Sequence, residues 1–271
     1  MRRLTFSFRL KLDFSQPVQG HHYTLRALPS DAPHQKVLSA ALKIAPESEA
    51  QTAADRHGRL DFGCVQAAHD SFEVLAEGSV LSSLDEGEEA APPWQLGPER
   101  MFTHLTRPGP CICALERELP AGVQAEALSA QIMELMHARF AYVPGSTGAQ
   151  TTGEEAAQAM RGVCQDESHI MLALLRMRYI PCRYVVGYML GEGSTHAWVE
   201  VLCGGRWIGM DPTNHRRVDD TYIRVSVGRD ADDCPINRGL FLGGAAQISE
   251  SSVRVWEVPQ TAREECETGR T

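Results

Sequence analysis

Hydrophobic residues over roughly the first eighty positions recur at every second place. Phe6, Phe8, Leu10 and Leu12 are spaced by two, as are Phe72 and Val74, continued less cleanly by Ala76. Further short runs lie from Val37 to Ile44 and from Gly58 to Gly63, set apart by Pro29, Pro33 and Pro46. Side chains alternate faces along a strand, so this period predicts strands, and turn residues about every ten positions predict a small antiparallel β-domain. The period then lengthens. Leu128, Ile132, Leu135 and Met136 form a helical stripe that ends near Phe140. Thr152 with Glu155 makes a capping box ahead of a short helix from Glu154 to Met160. Ile170, Met171, Leu174 and Leu175 repeat at helical spacing until Pro181 stops them. Strand-like runs return at 196–202, 206–211, 222–227 and 252–258. The reading is an α+β chain: an N-terminal antiparallel β-domain (1–90), a second domain of helices and sheet (91–258) and a polar tail (259–271). Residues 82–100, acidic and proline-rich, read as the linker.

At 271 residues the chain can bury one large core or two modest ones. A net charge of −9 argues against nucleic acid as a partner, and no apolar run is long enough to cross a bilayer, so no membrane partner is expected. The opening from Met1 to Phe8 reads as a strand, not an export signal. Eight cysteines (Cys64, Cys111, Cys113, Cys164, Cys182, Cys203, Cys234 and Cys266) are scattered without a CxxC, and read as free thiols of a cytoplasmic protein. Cys111 and Cys113 lack a histidine pair at ligand spacing, so neither metal nor other cofactor is expected. His21, His22, His34, His57 and His69 follow no ligand spacing and are expected at the surface. Nothing in the sequence sets the oligomeric state.

The chemistry concentrates between Gly162 and Asp211. Cys164 stands directly before a helical run, where unpaired backbone N–H groups and the helix dipole favour thiolate and could stabilise an oxyanion. His196 opens one strand and Asp211 closes the next. A two-residue turn at Cys203-Gly204 would pair them directly; one at Gly204-Gly205, the better type I′ candidate, would leave them diagonal neighbours on one face. Either way Asp211 can fix the imidazole and His196 can take the thiol proton, which makes Cys164, His196 and Asp211 the candidate catalytic residues. Candidate supporting residues are Gln165 and Asp166 at the helix start, Trp198 on the face of His196, and Asn214 as a substitute for Asp211. His169, five residues after Cys164, points away from it and is a poor direct base. Arg224 and Arg229 are candidates either to bind a substrate carboxylate or to anchor the C-terminal loop.

The run from Thr147 to Gly244 resembles the bacterial transglutaminase-like family, whose members are mostly called cysteine proteases. The motifs are Thr152-Gly153-Glu154-Glu155-Ala156, Gly162-Val163-Cys164-Gln165-Asp166 with His169, and Ile180 to Tyr188 with Cys182 where alanine is usual. His196-Ala197-Trp198-Val199-Glu200-Val201, Asp211-Pro212-Thr213-Asn214 and the tail from Tyr222 to Gly239 follow in order. Glu167-Ser168 departs from the small or aromatic residues usual there, which touches substrate preference. The resemblance implies a papain-like, transglutaminase-like core with a Cys-His-Asp triad, a role for His169 such as bonding a neighbouring loop, and an N-terminal β-domain. A peptide or related amide substrate would be hydrolysed through a thioester. The alternatives are transfer to an amine, as in a transglutaminase or amide ligase, and a non-catalytic peptide-binding module.

Overall fold

The computed structural model describes residues 1–83, 88–89 and 95–259. Five strands open the chain: β1 (Arg2–Leu25), β2 (Gln35–Ala45), β3 (Glu49–Asp55), β4 (Gly58–Val65) and β5 (His69–Ser82). A two-residue β6 (Glu88–Glu89) precedes the helices α1 (Pro110–Glu118) and α2 (Ala125–Arg139), then β7 (Ala141–Tyr142), α3 (Gly153–Ala159), β8 (Arg161–Gly162) and α4 (Cys164–Met177). The remainder is β9 (Cys182–Met189), β10 (Gly191–Gly193), β11 (His196–Cys203), β12 (Arg206–Asp211), β13 (Arg216–Arg217), β14 (Tyr222–Gly228), β15 (Asn237–Leu242) and β16 (Gln247–Glu257). No helix among the described residues is long and apolar enough to cross a membrane.

The first sheet is organised by β1, whose length comes from two consecutive pairings on each side. Its first half lies between β5 and β16, its second half between β4 and β15. Leu4, Phe6, Phe8, Leu10 and Leu12 therefore all face one core, as their spacing requires. The expected boundary at residue 90 leaves the last two strands with the second domain, whereas their hydrogen bonds run to β1 and Val253 and Val255 enter the first core. Within the expected linker, 84–87 and 90–94 lie outside the described residues, and Glu88–Glu89 pair with Trp207 and Arg206. The expected tail from residue 260 onward is also outside them.

The second sheet, in the order β13-β12-β11-β9-β14, carries α4 on one face. Ile170 to Leu175 are buried without a polar stripe, because α1, α2 and α3 cover the side of α4 turned away from the sheet. On the other face Tyr188, Ile223 and Val225 join the core of the first sheet, where Tyr188 stacks on Phe8 and donates to the Ala27 carbonyl at 2.6 Å. The second sheet is thus clamped between helices and the N-terminal sheet.

Two histidines expected at the surface are buried. His21 and His69 stack, share a 3.2 Å hydrogen bond and pack among Phe14, Phe72 and Tyr23. Burial pushes His21 down to about 4, so it packs as a neutral aromatic ring. The missing ligand spacing carried no information on burial, and the pairing of β1 with β5 is what encloses both rings.

Candidate active site

Cys164 is the first residue of α4, and the residues around it explain how the thiol is presented. The Asp166 carboxylate folds back to accept the Val163 N–H at 2.7 Å and the Thr147 hydroxyl at 2.7 Å. A Cβ on Gly162 would meet that same carboxylate oxygen at 2.4 Å, so glycine is required by close approach. Burial pushes Asp166 up, partly offset by the hydrogen bond from Thr147. Gln165 donates to the Ala149 carbonyl at 3.2 Å. Both expected supporting residues thus fasten the 147–149 loop against the helix start. The short β7–β8 pairing, extended by Val143 N–H to the Gly162 carbonyl at 2.7 Å, brings Tyr142 to the same rim.

The β11–β12 register settles the turn. Cys203 pairs with Arg206, so Gly204 and Gly205 form a two-residue loop, and both have positive φ (58° and 85°) as a type I′ turn demands. His196 and Asp211 are diagonal neighbours, with Nε2 of the imidazole 2.7 Å from Oδ2 of the carboxylate. Asp211 is fully buried and heavily supplied with donors. Thr213 N–H and Asn214 N–H reach Oδ1 at 3.0 Å each, while Asn214 Nδ2 and the Tyr222 hydroxyl reach Oδ2 at 2.7 Å each. Burial works against the charged forms of both partners, yet their mutual hydrogen bond prevails. It holds Asp211 below its ordinary value and His196 up at about 10, with Cys164 contributing in the same direction.

Asn214 does not replace Asp211. It braces the carboxylate and lies 3.3 Å from the same imidazole nitrogen. Trp198 stacks below His196 at 6.4 Å between ring centroids and is buried, so it floors the imidazole. His169 is wholly buried on α4 and its Nε2 accepts the Ala231 N–H at 3.3 Å, the loop contact its place in the family pattern implies. Burial, then the nearby Arg176 charge, lowers it to about 3. Arg229 anchors the 231–233 turn through Asp233, at 2.8 Å, and Arg224 bonds the buried Glu200 at 3.4 Å.

Tyr222 escaped the sequence reading, and Glu167 entered it only as a departure affecting substrate preference, not as a neighbour of the Asp211 loop. Tyr222 reaches Asp211 from β14, and Arg216 donates to its hydroxyl at 3.0 Å. Pairing between β14 and β9 has no short turn to fix its register, so no local signal announces this contact. Glu167 had one: it lies three residues after Cys164 on the same helix face. Its carboxylate accepts the Thr213 hydroxyl at 2.5 Å, and burial pushes it up to about 7.

Cys164 and His196 open into one cleft of about 540 Å³, lined also by Tyr142, Gln165, Tyr184 and Arg238. Its walls come from the 142–150 loop on one side and the 231–238 segment on the other. A thiol, a carboxylate-held imidazole and a helix N-terminus around one open cleft can support nucleophilic attack on a carbonyl.

Residues 114–212 match the transglutaminase-like superfamily, and residues 4–81 match the bacterial transglutaminase-like N-terminal region. The chain carries a transglutaminase-like core behind a bacterial transglutaminase-like N-terminal region. The fold of this transglutaminase-like protein superposes on a structure described as a "Putative Cysteine Protease from Cytophaga hutchinsonii" with a TM-score of 0.80. That superposition covers 96% of this chain and 93% of the other at 19% identity, a likeness of fold. An uncharacterised protein of Mycobacterium leprae is 42% identical over 115 residues, 39% of this chain and 41% of that protein. The protein-glutamine gamma-glutamyltransferase of Pseudomonas aeruginosa is 33% identical over 117 residues, 37% of this chain and 18% of that protein. The chain thus spans less than half the length of these curated relatives.

Proposed function

We propose that this transglutaminase-like protein is a thiol acyl-transfer enzyme that hydrolyses a peptide or related amide, with Cys164 as nucleophile, His196 as base and Asp211 as the group that orients the imidazole. The observation carrying the reading is the 2.7 Å His196–Asp211 pair. It occupies Nε2 and leaves Nδ1 for the thiol at the start of α4. In this scheme the thiol proton passes to His196 and sulfur bonds to the carbonyl carbon. The amine leaves with the proton from the imidazolium, and water then releases the thioester. The seven described cysteines are free, which suits a reducing compartment, and we place the protein in the cytoplasm on that ground.

The test is the pH dependence of iodoacetamide labelling, mapped by mass spectrometry in wild type, Cys164→Ala and His196→Ala. Fast labelling of Cys164 at neutral pH, slowed in the His196 variant, is the expected result. Labelling of Cys164 no faster than the other cysteines would sink the enzyme reading in favour of a peptide-binding module. Transfer to an amine is the second reading, favoured by the sequence similarity to the Pseudomonas glutamyltransferase. An amine added during turnover would then divert product from acid to amide.

A further inference from the structure

Attack on a carbonyl places negative charge on its oxygen, and the Cys164 backbone N–H at the first position of α4 supplies one donor to it. A second donor has to come from the cleft wall. Several polar side chains there already have partners: Gln165 bonds the Ala149 carbonyl, while Gln150 and Arg238 bond Asp232. Tyr184 differs. It stands on β9 opposite Val199, its ring is buried against His169 with centroids 5.4 Å apart, and it lines the cleft with Cys164. Its hydroxyl makes no hydrogen bond to any described residue. The ring is buried but the hydroxyl is not one of the buried unpartnered atoms, so it opens to the cleft, where a substrate oxygen can accept from it. Burial, then the charges of Cys164 and Cys234, holds its pKa well above the ordinary value, so it remains a donor.

We propose that the Tyr184 hydroxyl donates to the oxyanion of the tetrahedral adduct on Cys164, beside the Cys164 N–H. The inference rests on the acyl-transfer reading above and adds a catalytic residue to it. With p-nitrophenyl acetate the thiolate bonds to the carbonyl carbon and the carbonyl pair moves to oxygen. Collapse of the adduct expels p-nitrophenolate and leaves an acetyl thioester. Iodoacetamide reacts at the same sulfur by displacing iodide, and no oxyanion forms. The two reagents therefore separate the oxyanion from the thiolate.

The experiment compares wild type, Tyr184→Phe and Tyr142→Phe in the full chain with both reagents. Tyr184→Phe keeps the ring on His169, and its iodoacetamide rate, expected unchanged, reports that the site is folded. Its maximal acylation rate is expected to fall roughly tenfold to a thousandfold, with the half-saturating ester concentration nearly constant. Equal slowing with both reagents would assign Tyr184 to the thiolate and overturn the proposal. So would an unchanged acylation rate, a change in half-saturation alone, or the loss appearing in Tyr142→Phe instead. A wild-type Cys164 that labels no faster than the other cysteines would overturn the acyl-transfer reading itself, and the donor role with it.

Discussion

His169 and His196 are both buried beside the thiol helix, one on α4 itself and one at the head of β11, and they prefer opposite charge states. Burial opposes protonation at each. At His169 nothing reverses it: the ring meets a backbone N–H, the Tyr184 ring and the field of Arg176, and it sits at about 3. At His196 a carboxylate held by four further donors shares the proton, and the imidazole sits at about 10. Depth in the protein therefore does not decide which of two buried histidines holds a proton. The partner does, and the partner is itself kept ionised against burial by His196 first and then by the Asn214 and Tyr222 side chains.

The most direct way to break the contrast is Asp211→Ala. His196 would then keep the burial that lowers His169, opposed by Cys164 without the carboxylate, and its pKa should fall. Cys164 alkylation at pH 7 should slow by roughly 10²–10⁴-fold, the usual worth of a positioned base. The variant should also lose about 3–5 kcal/mol of stability, because a buried charge leaves its donors behind. Histidine titration by NMR, alkylation kinetics and denaturant unfolding read these effects. A His196 that remains protonated at pH 8 in the variant would show that Asp211 is not the cause.

How much of this contrast was legible in the sequence depends on how local each contact is. The two-residue Gly204-Gly205 turn ties His196 and Asp211 to one face, and the helix start after Gly162 announces Cys164; both follow from neighbours in the chain. The α+β class and the long helices were equally readable from periodicity. β3 was not, since all seven of its residues are exposed and no alternation marks it. The place of β16 was not either, because its pattern says which face is buried but not against which strand. Tyr222 and the burial of His21 and His69 depend on pairings between distant strands, which no local spacing encodes.

A gentler test uses pH. His196 is raised from about 6.5 to about 10, so the folded state binds the extra proton and the contribution is complete below pH 6.5. It is lost as pH climbs toward 10. His169 is lowered from 6.5 to about 3, so the unfolded state binds the extra proton and stability falls as pH drops from 6.5 toward 3. In melting curves across pH, His196→Gln should flatten the alkaline limb alone. His169→Gln, whose amide oxygen can still accept the Ala231 N–H, should flatten the acid limb alone. Loss of both limbs in either variant would mean that the two rings titrate as one unit.

The smallest effect, and the sharpest on cause, belongs to Glu167. Burial raises it to about 7; the Thr213 hydroxyl works against that shift, the Asp211 charge adds to it, and the imidazolium of His196 opposes it. A carboxyl raised from 4.5 to 7 stabilises the fold in its neutral form, fully below pH 4.5, and that contribution disappears as pH passes 7. At pH 8 Glu167 is therefore a buried charge beside another of the same sign. Glu167→Gln keeps an oxygen for Thr213 and removes that charge, so urea unfolding should show a gain of about 1–3 kcal/mol at pH 8 and little at pH 5. It should also lower the His196 pKa slightly, by less than about one unit, because a second carboxylate no longer faces the ring. An equal gain at both pH values would assign the effect to packing. The carboxylate that governs His196 would then be Asp211 alone, and the contrast with His169 would rest on a single partner.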